Sequence, residues 1–364
     1  MKEVVLLIYG GKSVEHDISV ITAVQTMKSL PKQYNFLPLY IDRDGGWWIA
    51  DNLHDIAIYK NFDKFAKNKQ QAVLGHKVLF VKKRNKLVGT FKVGGVLNCC
   101  HGRIGEDGSL QGLLNVFDIP YTSCGVISSA LCMDKAFMKD VLKANGVLTA
   151  DYVYFTERKK NLTLPKGLEF PVVVKPANLG SSIGISVCKN EKEYVDALEL
   201  AFEFDKKVLV EDLVENLQEF NCACFEFKNQ LFVSEVNEVV SNSEIYSFEE
   251  KYLSSKAKNL ETNKKLASKI KDLAERVYGL FECKGVVRVD FLYDKQQKKL
   301  FVNEINTIPG SLATYLYRGV PVQDILTAII EEAKQQFKAS EKLISTFESD
   351  AIEIYSKFKP TSKK

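Results

Sequence analysis

The sequence predicts a mixed protein, α/β at its N-terminal end and α+β beyond it. Three observations carry this. A strand, a helix and a second strand follow one another with short loops over residues 4–41. Later apolar runs alternate with turns and pair as hairpins. At 364 residues the chain exceeds one ordinary core, so two or three domains follow.

Val4 to Ile8 is a continuous apolar run of strand length, and Gly10-Gly11 turns the chain after it. Ser19 to Leu30 places Val20, Ala23, Val24, Met27 and Leu30 at helical spacing, and Phe36 to Ile41 is the next strand. Short strand–helix–strand connections predict a parallel, Rossmann-like layer. Trp47-Trp48-Ile49 makes a further short strand, and residues 51–77 show no readable period. Val78–Val81 and Leu87–Phe91 pattern as a hairpin, and Val93–Cys100 as a buried strand. That strand ends in the glycine-spaced loop His101–Gly108, and Ser109–Val116 opens a helix. Open α/β sheets bind ligands there, at the carboxyl ends of strands beside a helix N-terminus.

A boundary is expected at 120–124, then one helix from Ser128 to Asn145, stopped by Gly146. Asp151–Phe155, Pro171–Lys175 and Val208–Glu211 read as strands and Tyr194–Phe202 as a helix. Asn178–Gly184 is a small-residue turn. Phe220–Phe227 and Leu231–Val239 are strands, and Leu266–Tyr278 a helix. Residues 241–260 are long and polar for a loop inside a compact domain, a length that usually carries function. Gly285–Leu292 pairs with Lys299–Glu304 over a turn, Val322–Phe337 closes the unit, and Leu343–Phe358 adds a helix. The expected domains are 1–123, 124–213 and 214–364.

Composition narrows the function. Hydrophobic residues make up 46% and charged residues 26%, as in globular proteins. A net charge of +4 from 50 basic and 46 acidic residues does not argue for nucleic acid. No run approaches a membrane span or a signal-peptide core, which predicts a cytoplasmic protein. The eight cysteines have no disulfide or zinc spacing and are expected to be reduced and mostly buried. Four histidines exclude a histidine-rich metal site.

Several stretches carry chemistry. In Phe301–Gly310, Glu304 and Asn306 sit two residues apart on a strand and so share a face, with Ile305 pointing into a core. A carboxylate and an amide oxygen suit magnesium that also holds phosphates. Alone, a strand end with two solvated polar residues fits as well. Arg288 and Asp290 share a face of the adjacent strand and need partners in that apolar context. Together the four suit two cations and a developing oxyanion; the bland alternative is a cross-strand ion pair. Lys175 ends a buried strand ahead of Gly180-Ser181-Ser182-Ile183-Gly184, whose backbone donors can wrap phosphate; a plain hairpin is the alternative. Gly10-Gly11-Lys12-Ser13 lacks the first P-loop glycine, because Leu6 stands there. Glu15 then faces either the ligand edge of the sheet or solvent. Glu211 ends a strand at an interdomain hinge, where an adenine edge fits.

Taken together these segments resemble the ATP-grasp superfamily and, within it, the D-alanine–D-alanine ligase family. The likeness runs from Gly10 to about Leu326. It rests on Gly10–Glu15, His101-Gly102 with Gly105-Glu106-Asp107-Gly108 and Gln111-Gly112, Met133-Asp134-Lys135, Lys175-Pro176 with Gly180–Gly184, Glu250–Leu253, Arg288 with Asp290, and Asn303–Gly310. Each is modest alone; in family order they are specific.

The resemblance implies an ATP-grasp fold in which central and C-terminal α+β domains clamp ATP. It also implies an acyl-phosphate route to a dipeptide for peptidoglycan, with D-alanine and ATP as substrates. Two magnesium ions, replaceable by manganese, and a homodimer belong to the same expectation. By position, Lys135, Lys175, Ser182 and Lys251 fall on nucleotide phosphates, Glu211 and Leu213 on adenine, and Glu219 on ribose. Asp290, Glu304 and Asn306 match metal ligands, and Arg288 with the Gly310 amide matches the oxyanion stabilisers. Glu15 matches the holder of the first substrate's ammonium, with Ser181 and Tyr252 orienting it and closing a lid. A tyrosine at 252 favours amide over ester synthesis. One departure stands out. After Pro309-Gly310 the family usually brings a serine to the second substrate, whereas this chain runs Ser311-Leu312-Ala313-Thr314-Tyr315-Leu316. By count Tyr315 takes the serine's place, with Ser311, Thr314 or the Leu316 amide as substitutes. A relative joining D-serine or D-lactate is the alternative reading.

Overall fold

The structure, a computed structural model, describes residues 2–84, 86–158, 163–239 and 263–357. Its first sheet contains β1 (Glu3–Gly10), β2 (Phe36–Ile41), β3 (Trp47–Ile49), β4 (Gln70–Gly75), β5 (Val78–Lys83) and β6 (Lys86–Asn98), with α1 (His16–Met27) after β1 and α2 (Phe62–Phe65) before β4. The parallel pairs expected from the strand–helix–strand run are β1 with β2 and β1 with β6. The remaining neighbours pair antiparallel and close the sheet into a ring. Closure is achieved by one long strand. The first half of β6 pairs with β5 and its second half with β1, with Lys92 paired to both. The hairpin arm and buried strand expected separately are therefore one element. Leu6, Leu7, Ile8 and Tyr9 are wholly buried, because β1 is covered on both faces.

The His101–Gly108 loop leads into α3 (Ser109–Val116). The single helix expected over 128–145 is instead two, α4 (Val126–Met133) and α5 (Lys135–Ala144). Asp134 breaks it. Its backbone is extended, and its carboxylate accepts from the amides of Ala136 and Phe137 as the N-cap of α5. The break matters because it makes Lys135 the first residue of a new helix.

The second sheet is antiparallel, in the order β7 (Tyr152–Phe155), β10 (Val208–Asp212), β8 (Val172–Pro176), β9 (Ser186–Cys188), with α6 (Glu191–Phe204) packed on β8. The third follows the order β12 (Gln230–Val233), β11 (Leu217–Phe227), β14 (Val287–Asp294), β15 (Lys299–Asn306), and β13 (Asn237–Val239) also pairs with β11. One face of this sheet buries Cys222, Cys224, Val287, Val289, Phe291, Val302 and Ile305 against α7 (Lys264–Leu280) and against Cys132, Met138 and Leu142 of α4 and α5. The closing helix α8 (Val322–Ser340) joins Ala223 and Phe225 to the core beneath β1 and α1. The helix expected over 343–358 is shorter, α9 (Ala351–Lys357). Residues 343–350 lie outside it, and Leu343, Ile344 and Phe347 are exposed. Without a surface to cover, their apolar side chains contribute little to a helix. All eight cysteines are free and buried, as expected. Among the described residues no helix is long and apolar enough to cross a membrane.

Candidate active site

The site face of the third sheet is fixed by register. Arg288 pairs with Asn306 and Asp290 with Glu304, so the four side chains leave the sheet on one side. Simple alternation would place Val302 on that side too. A bulge prevents this. Phe291 pairs with Val302 while Asp290 pairs with Glu304, so Asn303 is the extra residue on β15. Val302 then enters the core and Glu304 the site. Arg288 grips Asp290 with Nε and Nη2, both at 2.7 Å. The Asn306 amide nitrogen donates to the same carboxylate at 3.0 Å. Two carboxylates and an amide oxygen are hard donors that could hold a divalent cation. Among the described residues no three His, Cys, Asp or Glu side chains form a closed metal cage. Two carboxylates and one amide oxygen leave positions for waters and phosphate oxygens on such an ion.

Two lysines reach this sheet, and a third stands behind them. Lys135 donates to the Leu179 carbonyl at 2.6 Å and lies 3.8 Å from Glu304 Oε1. Lys175, on β8, donates to Glu211 Oε1 and reaches Asn303 Oδ1 at 3.4 Å, linking the second sheet to the bulge of the third. Lys139, fully buried on α5, holds Glu211 Oε2 at 3.0 Å. Burial alone would raise the Glu211 pKa, but Lys139 and then Lys175 overcome it and hold the carboxyl at about 2. Burial also lowers the Lys139 pKa against the pull of Glu211. We take the cluster as charged, because one carboxylate serves two ammonium groups at hydrogen-bonding range.

Glu15 joins the first unit to the second. It is buried at the start of α1 and accepts from the Ser181 hydroxyl. Glycines flank its carboxylate. A Cβ at Gly102 would lie 2.5 Å from Oε2, and one at Gly180 2.8 Å from Oε1. Glu15, Glu106, Lys135, Gly180, Glu304 and Asn306 line one small, partly open pocket. Ser181 and Ser182 have left-handed backbones in the turn above it.

Glu106 was legible only as part of the glycine-spaced loop. It accepts the Gly102 amide at 2.7 Å and the Ile308 amide at 2.9 Å, tying that loop to the segment before Gly310. Burial raises its pKa first and Glu15 adds to this, to about 8. The folded value lies above the ordinary carboxylate value of about 4.3, so the folded state holds the proton more tightly. That stabilisation is full below about pH 4 and is lost as pH rises through 8, at up to about 1.4 kcal/mol per pH unit. Glu106→Gln is therefore expected to fall less in melting temperature between pH 5 and pH 8 than the parent. Parallel slopes would sink this assignment. Beside it, burial lowers the His101 pKa to about 4, so His101 is neutral and hydrogen-bonds Thr22 at 2.8 Å.

Other expected residues do not line this pocket. Glu219 is on β11 opposite Leu292, two residues from Asn221. The Leu213 amide donates to the Pro171 carbonyl at 3.4 Å. Gly310 begins a tight turn in which Ser311, Leu312 and Ala313 have positive φ. Ser311 is anchored to α1, its amide on Thr22 at 3.1 Å and its hydroxyl on Gln25 at 2.5 Å. The Thr314 hydroxyl donates to the Ser311 carbonyl at 3.1 Å, Tyr315 is half exposed, and Leu316 is buried. Lys251 and Tyr252 fall outside the described residues. Asn303 and Lys139 were missed: the bulge and the buried ion cluster arise from tertiary pairing.

Comparison with known proteins covers nearly the whole chain. The family model for the D-ala D-ala ligase N-terminus matches residues 4–124, and that for the C-terminus matches residues 141–331. A D-alanine–D-alanine ligase of Thermosipho melanesiensis is 37% identical, over 96% of this chain and 98% of its own length. The ligase of Clostridium novyi is 34% identical over 92% of this chain and 99% of its own. Among solved structures, the D-alanine–D-alanine ligase of Helicobacter pylori superposes with a TM-score of 0.75 at 28% identity, covering 91% of this chain and 98% of that one. The VanG D-Ala:D-Ser ligase of Enterococcus faecalis gives 0.76 at 27%, covering 92% and 100%. With both halves matched and the charged residues of both gathered at one cavity, the chain belongs to the D-alanine–D-alanine ligase family.

Proposed function

We propose that this protein joins two D-alanine molecules at the expense of ATP, yielding D-alanyl-D-alanine for the cell wall. One observation carries the reading. Glu15, bonded to Ser181, lines one pocket with Lys135, Glu304 and Asn306, and Asn306 is bonded in turn to Asp290. The first D-alanine's ammonium sits on Glu15, and its carboxylate oxygen attacks the γ-phosphorus, releasing ADP. The second D-alanine's amine then adds to the acyl-phosphate carbon. Arg288 and the Gly310 amide meet the oxygen that gains charge, and phosphate leaves with the C–O bond. Lys135, Lys175, Ser182 and Lys251 neutralise phosphate charge. Glu211 and Leu213 take adenine, and Glu219 the ribose. Tyr252 covers the site, and Ser311, Thr314, Tyr315 or Leu316 receives the second carboxylate.

Magnesium, or manganese in its place, would be held by Asp290, Glu304 and Asn306 and would supply further charge neutralisation. We also infer a cytoplasmic homodimer divided at residues 123 and 213. The free cysteines support the compartment. Exposed Leu113, Val116, Val126 and Ile127 on the neighbouring α3 and α4 support self-association. Phosphate release from ATP should require D-alanine and magnesium and should yield the dipeptide. Release without D-alanine, or with L-alanine alone, overturns the reading. A panel of D-alanine, D-serine and D-lactate acceptors separates it from the alternative ligases.

The glycine beside Glu15 gives a sharper check. A Cβ at residue 180 would press on a carboxylate pinned by Ser181. Gly180→Ala is expected to cost about 1–3 kcal/mol in substrate binding. The KM for D-alanine should rise roughly tenfold, with the KM for ATP little changed. Equal changes in both constants would refute a local effect at Glu15.

A further inference from the structure

Asn221 lies on β11, directly opposite Asp290 of β14. Paired residues of neighbouring strands share a face, so Asn221 stands on the side that carries Arg288, Asp290, Glu304 and Asn306. It is 7% exposed, and its Oδ1 is buried with no hydrogen-bond partner. Leaving a buried acceptor unpaired is costly. An apolar residue of the same shape would avoid that cost, as Ala223 does two residues on. The orphan is an oxygen, so what it lacks is a donor.

We propose that Asn221 is a positioning residue of the cation site, its oxygen accepting a hydrogen bond from a water carried by the divalent ion at Asp290, Glu304 and Asn306. The inference rests on the function proposed above. Magnesium keeps several of its waters, and those waters are strong donors that need acceptors just outside the metal's own ligands. The placement of Asn221 opposite Asp290 supplies one on a strand that offers no carboxylate there.

The test uses Mn²⁺ as probe, titrated into the full-length protein with ADP, free Mn²⁺ being read by its paramagnetic resonance. Asn221→Leu keeps the volume and removes the oxygen. It should weaken Mn²⁺ binding about ten- to a hundredfold, while the metal-free melting temperature stays level or rises. Asn221→Asp keeps an oxygen and should retain Mn²⁺ binding; it also serves, with Asn221→Ala, if the leucine variant does not fold. Unchanged Mn²⁺ affinity in the leucine or alanine variant overturns the proposal. So does weakened binding of ADP in EDTA with Mn²⁺ affinity intact, which would give the oxygen to the nucleotide sugar. A parent that binds no Mn²⁺ at all would instead defeat the underlying functional reading.

Discussion

Replacing Arg288 by alanine is expected to lower D-alanine-dependent phosphate release about 100- to 1000-fold at saturating substrates. The guanidinium is positioned before any substrate arrives, because Nε and Nη2 are both fixed on Asp290 at 2.7 Å. Its side chain is only 15% exposed, so its charge acts through little water. In the role proposed for it, this donor meets negative charge that appears only as the amine adds, so the loss should fall on kcat. Asp290 loses two donors in the variant but keeps the Asn306 amide at 3.0 Å. The KM for ATP should therefore move by no more than a factor of a few. Arg288→Lys should recover little, since a single ammonium cannot reproduce the fork. Steady-state rates with coupled phosphate detection check this. A kcat close to the parent's, or a loss entirely in the KM for ATP, would remove Arg288 from the oxyanion role.

What the sequence revealed of this site followed from period and position. Glu304 and Asn306 share a face because strands alternate, and the pairing of Arg288 with Asn306 and of Asp290 with Glu304 bears this out. The same alternation would have exposed Val302, and only the bulge at Asn303 reconciles a buried Val302 with a functional Glu304. Bulges depend on the partner strand, so a single strand's pattern does not announce them. The helix over 128–145 looked continuous because its apolar spacing continues through Asp134. The break comes from Lys207, which grips the Asp134 carboxylate at 2.9 Å from 73 residues away while that carboxylate caps α5. Glu106 is ordinary in sequence. Its raised pKa comes from burial and then from Glu15, distant in the chain, against the lowering pull of the Gly102 and Ile308 amides. Residues 51–77 were unreadable because their short elements, α2 and β4, are defined by aromatic packing and edge pairing rather than by period. The roles of individual residues in binding came from family resemblance, not from period or position.

Glu211→Gln carries the largest expected effect on stability, a loss of about 3–5 kcal/mol. The carboxylate is 3% exposed and joins Lys175 on β8 to Lys139 on α5. Its removal leaves two buried ammonium groups facing one another, where a neutral amide compensates neither. Lys139→Met should cost less, because Glu211 keeps Lys175 and the methionine fills the space apolarly. In the double variant the Lys139 charge is gone too, so the combined loss should be smaller than the sum, a favourable coupling that a double-mutant cycle in urea reads directly. The pH dependence gives an independent signature. Glu211 titrates near 2 in the folded chain and at the ordinary carboxylate value of about 4.3 when unfolded. Its stabilisation is complete above the unfolded value and disappears as pH falls from there through 2. The parent should therefore lose stability steeply in that acid window, and Glu211→Gln should lose distinctly less. If the two acid limbs run parallel, or if the double variant is as unstable as the sum of the singles, the buried cluster is not held by charge. Its lysines would then have to enter the site neutral, ill suited to gather phosphate.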